Sequence, residues 1–275
     1  MTNRVFYWRQ DQPLGNFGDA LTVLLLDRLF EPDGPFDDVD LHLIGSVITK
    51  HRISNVIEAG LARNDRDSKA VFWGCGKKDA LPLSRAAQRR CIFLAVRGPM
   101  TRDALGLAPS TPMGDSALLL PRIYQPGVDT STAGKVLWVP HTHSEDPTAA
   151  ELEGCDDFIV RRPEIPNSTE ACMRFIDGIA SARFVMANAM HAAIVALAYG
   201  VPFAFWSGSR IDNPFKWADF ATGVGFTMDF SPSYPEGKRA FENASPMEAF
   251  SRMNTEALLE VAPLRVKPAI WTPKH

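Results

Sequence analysis

The chain has 275 residues, 45% of them apolar and 22% charged, so it can bury a core and is not disordered as a whole. Its net charge of −3 lacks the basic footprint that non-specific nucleic-acid binding needs. No apolar run approaches the roughly 20 residues of a membrane span. In chain order, residues 4–8 (RVFYW) predict a strand rich in β-formers. A loop with Gly15 and Gly18 follows, and Asp19 is placed to cap a helix over residues 20–30. Strands over 41–44, 70–73 and 92–96 run into Gly45, Gly74-Cys75-Gly76 and Arg97-Gly98-Pro99, and a helix near 100–105 stops at Gly106.

The polar, turn-rich stretch 125–135 predicts a domain boundary, dividing the chain into 1–125 and 135–275. Beyond it the alternation resumes. Strands are expected over 136–139, 158–160, 184–187 and 202–206, with helices over 170–180, 190–199 and 216–222. A final helix over 246–261 is free to pack back on the N-terminal domain. Strands that end in tight turns and then helices indicate an α/β fold, here two Rossmann-like domains facing a cleft. Ligands bind beyond the carboxyl ends of such strands. The residues expected there are Asn16 and Asp19, Gly45-Ser46, Arg97 and Asp115 from the first half. His141, His143, His191 and the loop from Ser207 to Arg210 come from the second.

Four scattered cysteines, Cys75, Cys91, Cys155 and Cys172, form no C-x-x-C pair and no metal-ligand spacing. Residues 1–10 carry no h-region of a signal peptide, so the expectation is a cytoplasmic protein, with peripheral membrane contact left open. Gly15-x-x-Gly18 is too short for a dinucleotide fingerprint. His141 and His143 invite a metal reading, but no third ligand has suitable spacing.

An ordered set of motifs carries a resemblance. It comprises Gly15-Asn16-Phe17-Gly18-Asp19, the Arg97-Gly98 turn, Gly114-Asp115-Ser116, Pro140-His141, and His191 in a stretch that runs into Gly200-Val201-Pro202. Their order and spacing resemble polysaccharide pyruvyl transferases, in particular the branch acting in bacterial exopolysaccharide assembly. The resemblance implies a fold similar to GT-B glycosyltransferases, with phosphoenolpyruvate as donor and neither a metal nor a cofactor. It implies a lipid-linked or nucleotide-linked saccharide acceptor and a cyclic pyruvate ketal as product. It also implies donor-site roles for Arg97 and His191. One departure stands out: many members carry Arg two residues before that His, and here the triplet is Ala189-Met190-His191.

The chemistry sets its own requirements. A doubly anionic donor needs fixed positive charge, and arginine supplies a fork matched to carboxylate or phosphate. Arg97 is the first candidate, with a structural pairing to a carboxylate such as Asp115 as the alternative. Arg210, in the loop after a strand that would neighbour His191, is the candidate to replace the absent arginine, with Lys216 behind it. Ketal formation needs a proton donor and a base, and His191, His141 and Asp19 are the candidates. Asn16, Gly18, Asp115 and His143 are expected to bind or orient substrate. A nucleotide-sugar glycosyltransferase and a non-catalytic glycan- or anion-binding module on the same scaffold are the rival readings; donor binding discriminates the first, and binding without turnover on any diol acceptor the second.

Overall fold

The structure, a computed structural model, describes residues 4–8, 11–31, 39–62, 65 and 67–271. Residues 1–3 and 9–10, within the stretch searched for a signal-peptide h-region, lie outside the described residues. The first half contains β1 (Arg4–Val5), β2 (Gly15–Asn16), α1 (Phe17–Arg28), β3 (Asp40–His42) and α2 (Lys50–Ala62). It continues with β4 (Ala70–Phe72), α3 (Arg85–Gln88), β5 (Cys91–Phe93), α4 (Pro99–Ala104), a 3₁₀ turn (Ser116–Leu119) and α5 (Leu120–Ile123). The second half contains β6 (Val136–Val139), β7 (Phe158–Val160), β8 (Glu164–Ile165), α6 (Thr169–Ser181), β9 (Phe184–Ala187) and α7 (Met190–Ala198). Then come β10 (Phe203–Trp206), α8 (Pro214–Val224), β11 (Phe230–Ser231), α9 (Tyr234–Ala244), α10 (Pro246–Ser251) and α11 (Glu256–Glu260).

Two parallel sheets result, ordered β1-β3-β4-β5 and β11-β10-β9-β6-β7. Every residue of β6, β9 and β10 is buried, which is why these strands read as unbroken apolar runs (VLWV, FVMA, FAFW) rather than alternating ones. α7 is apolar on nearly all sides and correspondingly enclosed.

The two halves share a core. α1 precedes most of the first sheet in sequence, yet Phe17, Leu21 and Leu24 pack in one cluster with Phe175, Ile176 and Val195 of α6 and α7. The Phe17 and Phe175 rings stack at 4.2 Å. β2 and β8 pair antiparallel and add a backbone link between the halves. The chain's end also returns: Leu258, Leu259 and Val266 join Leu25, Leu41 and Trp73 in a second cluster, and Trp73 Nε1 donates to the Leu258 carbonyl at 2.8 Å. The expected helix over 246–261 is two short helices, α10 and α11, interrupted near Asn254, whose side chain accepts from Glu256 N. The helices α2 and α9 are additions to the sequence reading.

Candidate active site

A cavity of about 510 Å³ lies where the carboxyl ends of both sheets meet. Asn16–Asp19 and Gly45–Val47 line it from the first half, with His51, Arg52 and Asn55 of α2. His141–His143, Ala189–His191, Asp212 and Lys216 line it from the second.

The loop into α1 closes one end. Asn16, not Asp19, caps the helix: its Oδ1 accepts from Gly18 N at 3.0 Å, and the helix starts at Phe17. The expected cap was misplaced because Asn and Asp are both good caps three residues apart, and the apolar Phe17 gives no boundary signal. Asn16 Nδ2 also donates to Thr142 Oγ1 at 2.9 Å, tying the two halves together across the cavity. Gly18 is required by contact: a Cβ there would lie 2.0 Å from His191 Nδ1.

His191 sits in the first turn of α7 with Gly18 against one side of its ring. Its Nε2 faces Asp115 Oδ2 at 3.6 Å, and neither atom has a hydrogen-bond partner among the described residues. Asp115 is fully buried, and its other oxygen caps the 3₁₀ turn through Ala117 N at 3.0 Å, so it cannot swing away. Freed from capping, Asp19 occupies the first turn of α1 and lines the cavity. Burial pushes its carboxyl above the ordinary carboxylate range, against the opposing pull of His191, Lys216 and Lys78.

The opposite wall is built on Asn188. Its Oδ1 accepts from His141 N and Ser144 Oγ, while its Nδ2 lies among the carbonyls of Trp206, Ser207 and Arg210. The loops after β6 and β10 are thereby fixed to the end of β9. His141 Nδ1 accepts from His143 N at 3.2 Å, which leaves the proton on Nε2, 3.3 Å from Asp212 Oδ2. Lys216 donates to the same oxygen. The hydrogen bond from His141, with that from Lys216, holds the Asp212 carboxylate well below its usual range despite partial burial. Burial lowers the Lys216 pKa, and Asp212 offsets this in part. His143 is exposed at the rim, its ring edge-on to His141. Among the described residues, no group of three or more His, Cys, Asp or Glu is arranged to hold a metal ion.

The profile of the polysaccharide pyruvyl transferase family matches residues 16–207. The chain belongs to this family. It is 27% identical over 237 residues to the succinoglycan biosynthesis protein ExoV of Rhizobium meliloti (strain 1021), an alignment covering 81% of this chain and 65% of that protein. No solved structure matches significantly. The matched span of this pyruvyl transferase family member contains every cavity residue contributed by α1, the loop after β6 and α7.

Two expected cation positions lie elsewhere. Arg97 is 1% exposed and does not line the cavity. Its Nε stands 3.4 Å from Asp219 Oδ2, and it donates to Ser46 Oγ and the Lys77 carbonyl. The carboxylate partner is thus Asp219 of α8, not Asp115, and Arg97 reaches the cavity only through Ser46. Arg210 is exposed and outside the lining; its carbonyl, not its guanidinium, is held. The two residues are displaced for opposite reasons, one by burial against a buried acid and the other by exposure on a loop outside the lining. Cys75 is buried, and burial pushes its thiol far above the reactive range. Trp206 and Trp217 are core residues. Sequence reasoning missed Asp212, Asn188 and Asp219. The signal for Asp219 was present: an acid embedded in the apolar run of α8 needs a buried partner.

Proposed function

We propose that this protein transfers the pyruvyl group of phosphoenolpyruvate to two hydroxyls of a saccharide, forming a cyclic ketal. The carrying observation is His191 at the floor of a cavity shared by both sheets, with the Asp115 carboxylate behind it and Asp19 within electrostatic reach. In the reaction two C–O bonds form at the donor's C2 and its bond to the phosphate oxygen breaks. One hydroxyl proton ends on the methylene carbon, which becomes a methyl group, and the other leaves with phosphate.

His191 is the proton donor to the methylene carbon, oriented by Asp115. Asp19, whose carboxyl pKa burial raises, shares proton handling on the same side. His141, fixed by Asp212, binds the acceptor hydroxyls with Asn16 and His143. The halves act as a GT-B-like pair, donor and acceptor meeting between them. The acceptor is a lipid-linked or nucleotide-linked saccharide, and a lipid-linked one would draw the chain to a membrane surface. No helix among the described residues is long and apolar enough to cross a membrane.

The test is incubation with phosphoenolpyruvate and a panel of such acceptors, following phosphate release and the mass of the product. Phosphate release that depends on acceptor, with the ketal mass increment, is the expected result. Donor binding without turnover on any diol would overturn the reading in favour of a binding module.

A further inference from the structure

One cation of the cavity has a setting that the scheme above leaves unexplained. Arg52, on α2, is the one arginine among the described residues that lines the cavity. Its guanidinium carbon lies 3.5 Å from the centre of the Phe6 ring, a cation–π contact that fixes the plane of the group. Its Nε donates to His42 Nε2 at 2.7 Å.

Arginine cannot accept a hydrogen bond, so His42 must present a lone pair at Nε2 and carry its proton on Nδ1, 3.1 Å from the Asp40 carbonyl. His42 is wholly buried, with Phe6 and Phe72 ring centres 5.5 and 4.6 Å away. Burial, aided by the Arg52 charge, pushes its pKa down to about 3, so it remains a neutral acceptor throughout any working pH range. Nε is therefore used, and the four Nη hydrogens take no hydrogen-bond acceptor among the described residues. An arginine held by a buried acceptor and an aromatic face, with its fork still open at a cavity, is pre-organised for a planar or tetrahedral oxyanion. Lys216 is less available, because Asp212 already engages it.

We infer that Arg52 grips a substrate oxyanion in this cavity, supplying the charge absent at Ala189, and that His42 positions it. The inference rests on the pyruvyl-transfer reading. The oxyanion is a carboxylate or phosphate group, brought either by the donor or by the diphosphate of a carrier-linked acceptor.

Calorimetry on the full chain with two probes, phosphoenolpyruvate and inorganic pyrophosphate, separates these sources. Arg52→Ala is expected to raise Kd for at least one probe about 30-fold or more, the low end for breaking a desolvated charge pair. Loss for phosphoenolpyruvate assigns the donor, and loss for pyrophosphate alone assigns the acceptor carrier. Arg52→Lys keeps the charge without the fork and should fall between, which preserves the test should Arg52→Ala fail to fold. His42→Leu should weaken the same probe, and His42→Gln, which restores an acceptor, should recover most of the affinity. Arg210→Ala should bind as wild type. Folded Arg52→Ala and Arg52→Lys proteins that bind both probes normally would overturn the inference while leaving pyruvyl transfer standing. A His42→Leu loss that His42→Gln does not repair would overturn the positioning role. Wild-type protein that binds neither probe and releases no phosphate would overturn both readings together.

Discussion

Two carboxylates flank α8, Asp219 within it and Asp212 just before it, and they meet opposite fates. Asp219 is fully buried, receives Thr101 N and Oγ1 at 2.8 and 2.7 Å, and stands beside Arg97. Packing there is close enough that a Cβ at Gly98 would lie 1.8 Å from the Asp219 carbonyl. Asp212 is one-third exposed and shares its proton donors, His141 and Lys216, with the cavity. The same pairing chemistry thus fastens α8 to α4 on one side and leaves polar groups open to a ligand on the other. Burial, not residue type, separates the structural role from the functional one.

The largest effect should come from breaking the buried side. Asp219→Ala leaves Arg97 charged and unpaired in the interior, and denaturant melts should show a loss of about 3–5 kcal/mol. The double replacement Arg97→Met with Asp219→Leu should recover much of that, because no orphan charge remains. A small loss for Asp219→Ala would mean that α4 and α8 part readily, and the contrast with Asp212 would fail.

Next in size is His191→Asn on the cavity side. Turnover should fall about 10²–10⁴-fold in the phosphate-release assay, while phosphoenolpyruvate affinity and melting temperature change little. Near wild-type turnover would place the proton donor elsewhere. Asn16→Ala should cost about 1 kcal/mol through the lost cap. It also deletes the bridge to Thr142, so acceptor KM should rise more than donor KM.

The smallest effect concerns Asp212→Asn. The folded-state pKa of Asp212 lies below its unfolded value, so its stabilisation is complete above about pH 4 and is lost as pH falls further. The melting-temperature gap between wild type and Asp212→Asn should therefore be present at pH 6 and shrink towards pH 3. A gap independent of pH would show that the cluster packs rather than pairs.

Much of the α/β pattern could be read from sequence because the central strands are buried on both faces and leave unbroken apolar runs. The cavity-facing ends followed from strand-to-turn transitions, which is how His141 and His191 were found. α2 escaped because only Ile53, Val56 and Gly60 of its 13 residues are buried, too thin a stripe to stand out. Arg52 was lost with it. Arg97 and Arg210 were located correctly in the chain but not in depth, since a turn position does not reveal which way a side chain goes. The contact between α1 and α6 was also unreadable, because it joins segments whose sequences carry no mutual signal.

Asn188 has a consequence that reaches beyond its contacts. A single uncharged amide joins the ends of three strands, so the backbone of the wall carrying His141 is tied at this joint by a group that does not titrate. The same economy makes it vulnerable to the mildest chemical change. Hydrolysis of that amide exchanges one nitrogen for oxygen, with almost no change in shape, and sets a new anion against the carbonyls of Trp206, Ser207 and Arg210. Donor would become acceptor at the joint, and the loops after β6 and β10 would be driven apart. Burial at 1% exposure shields that amide from water.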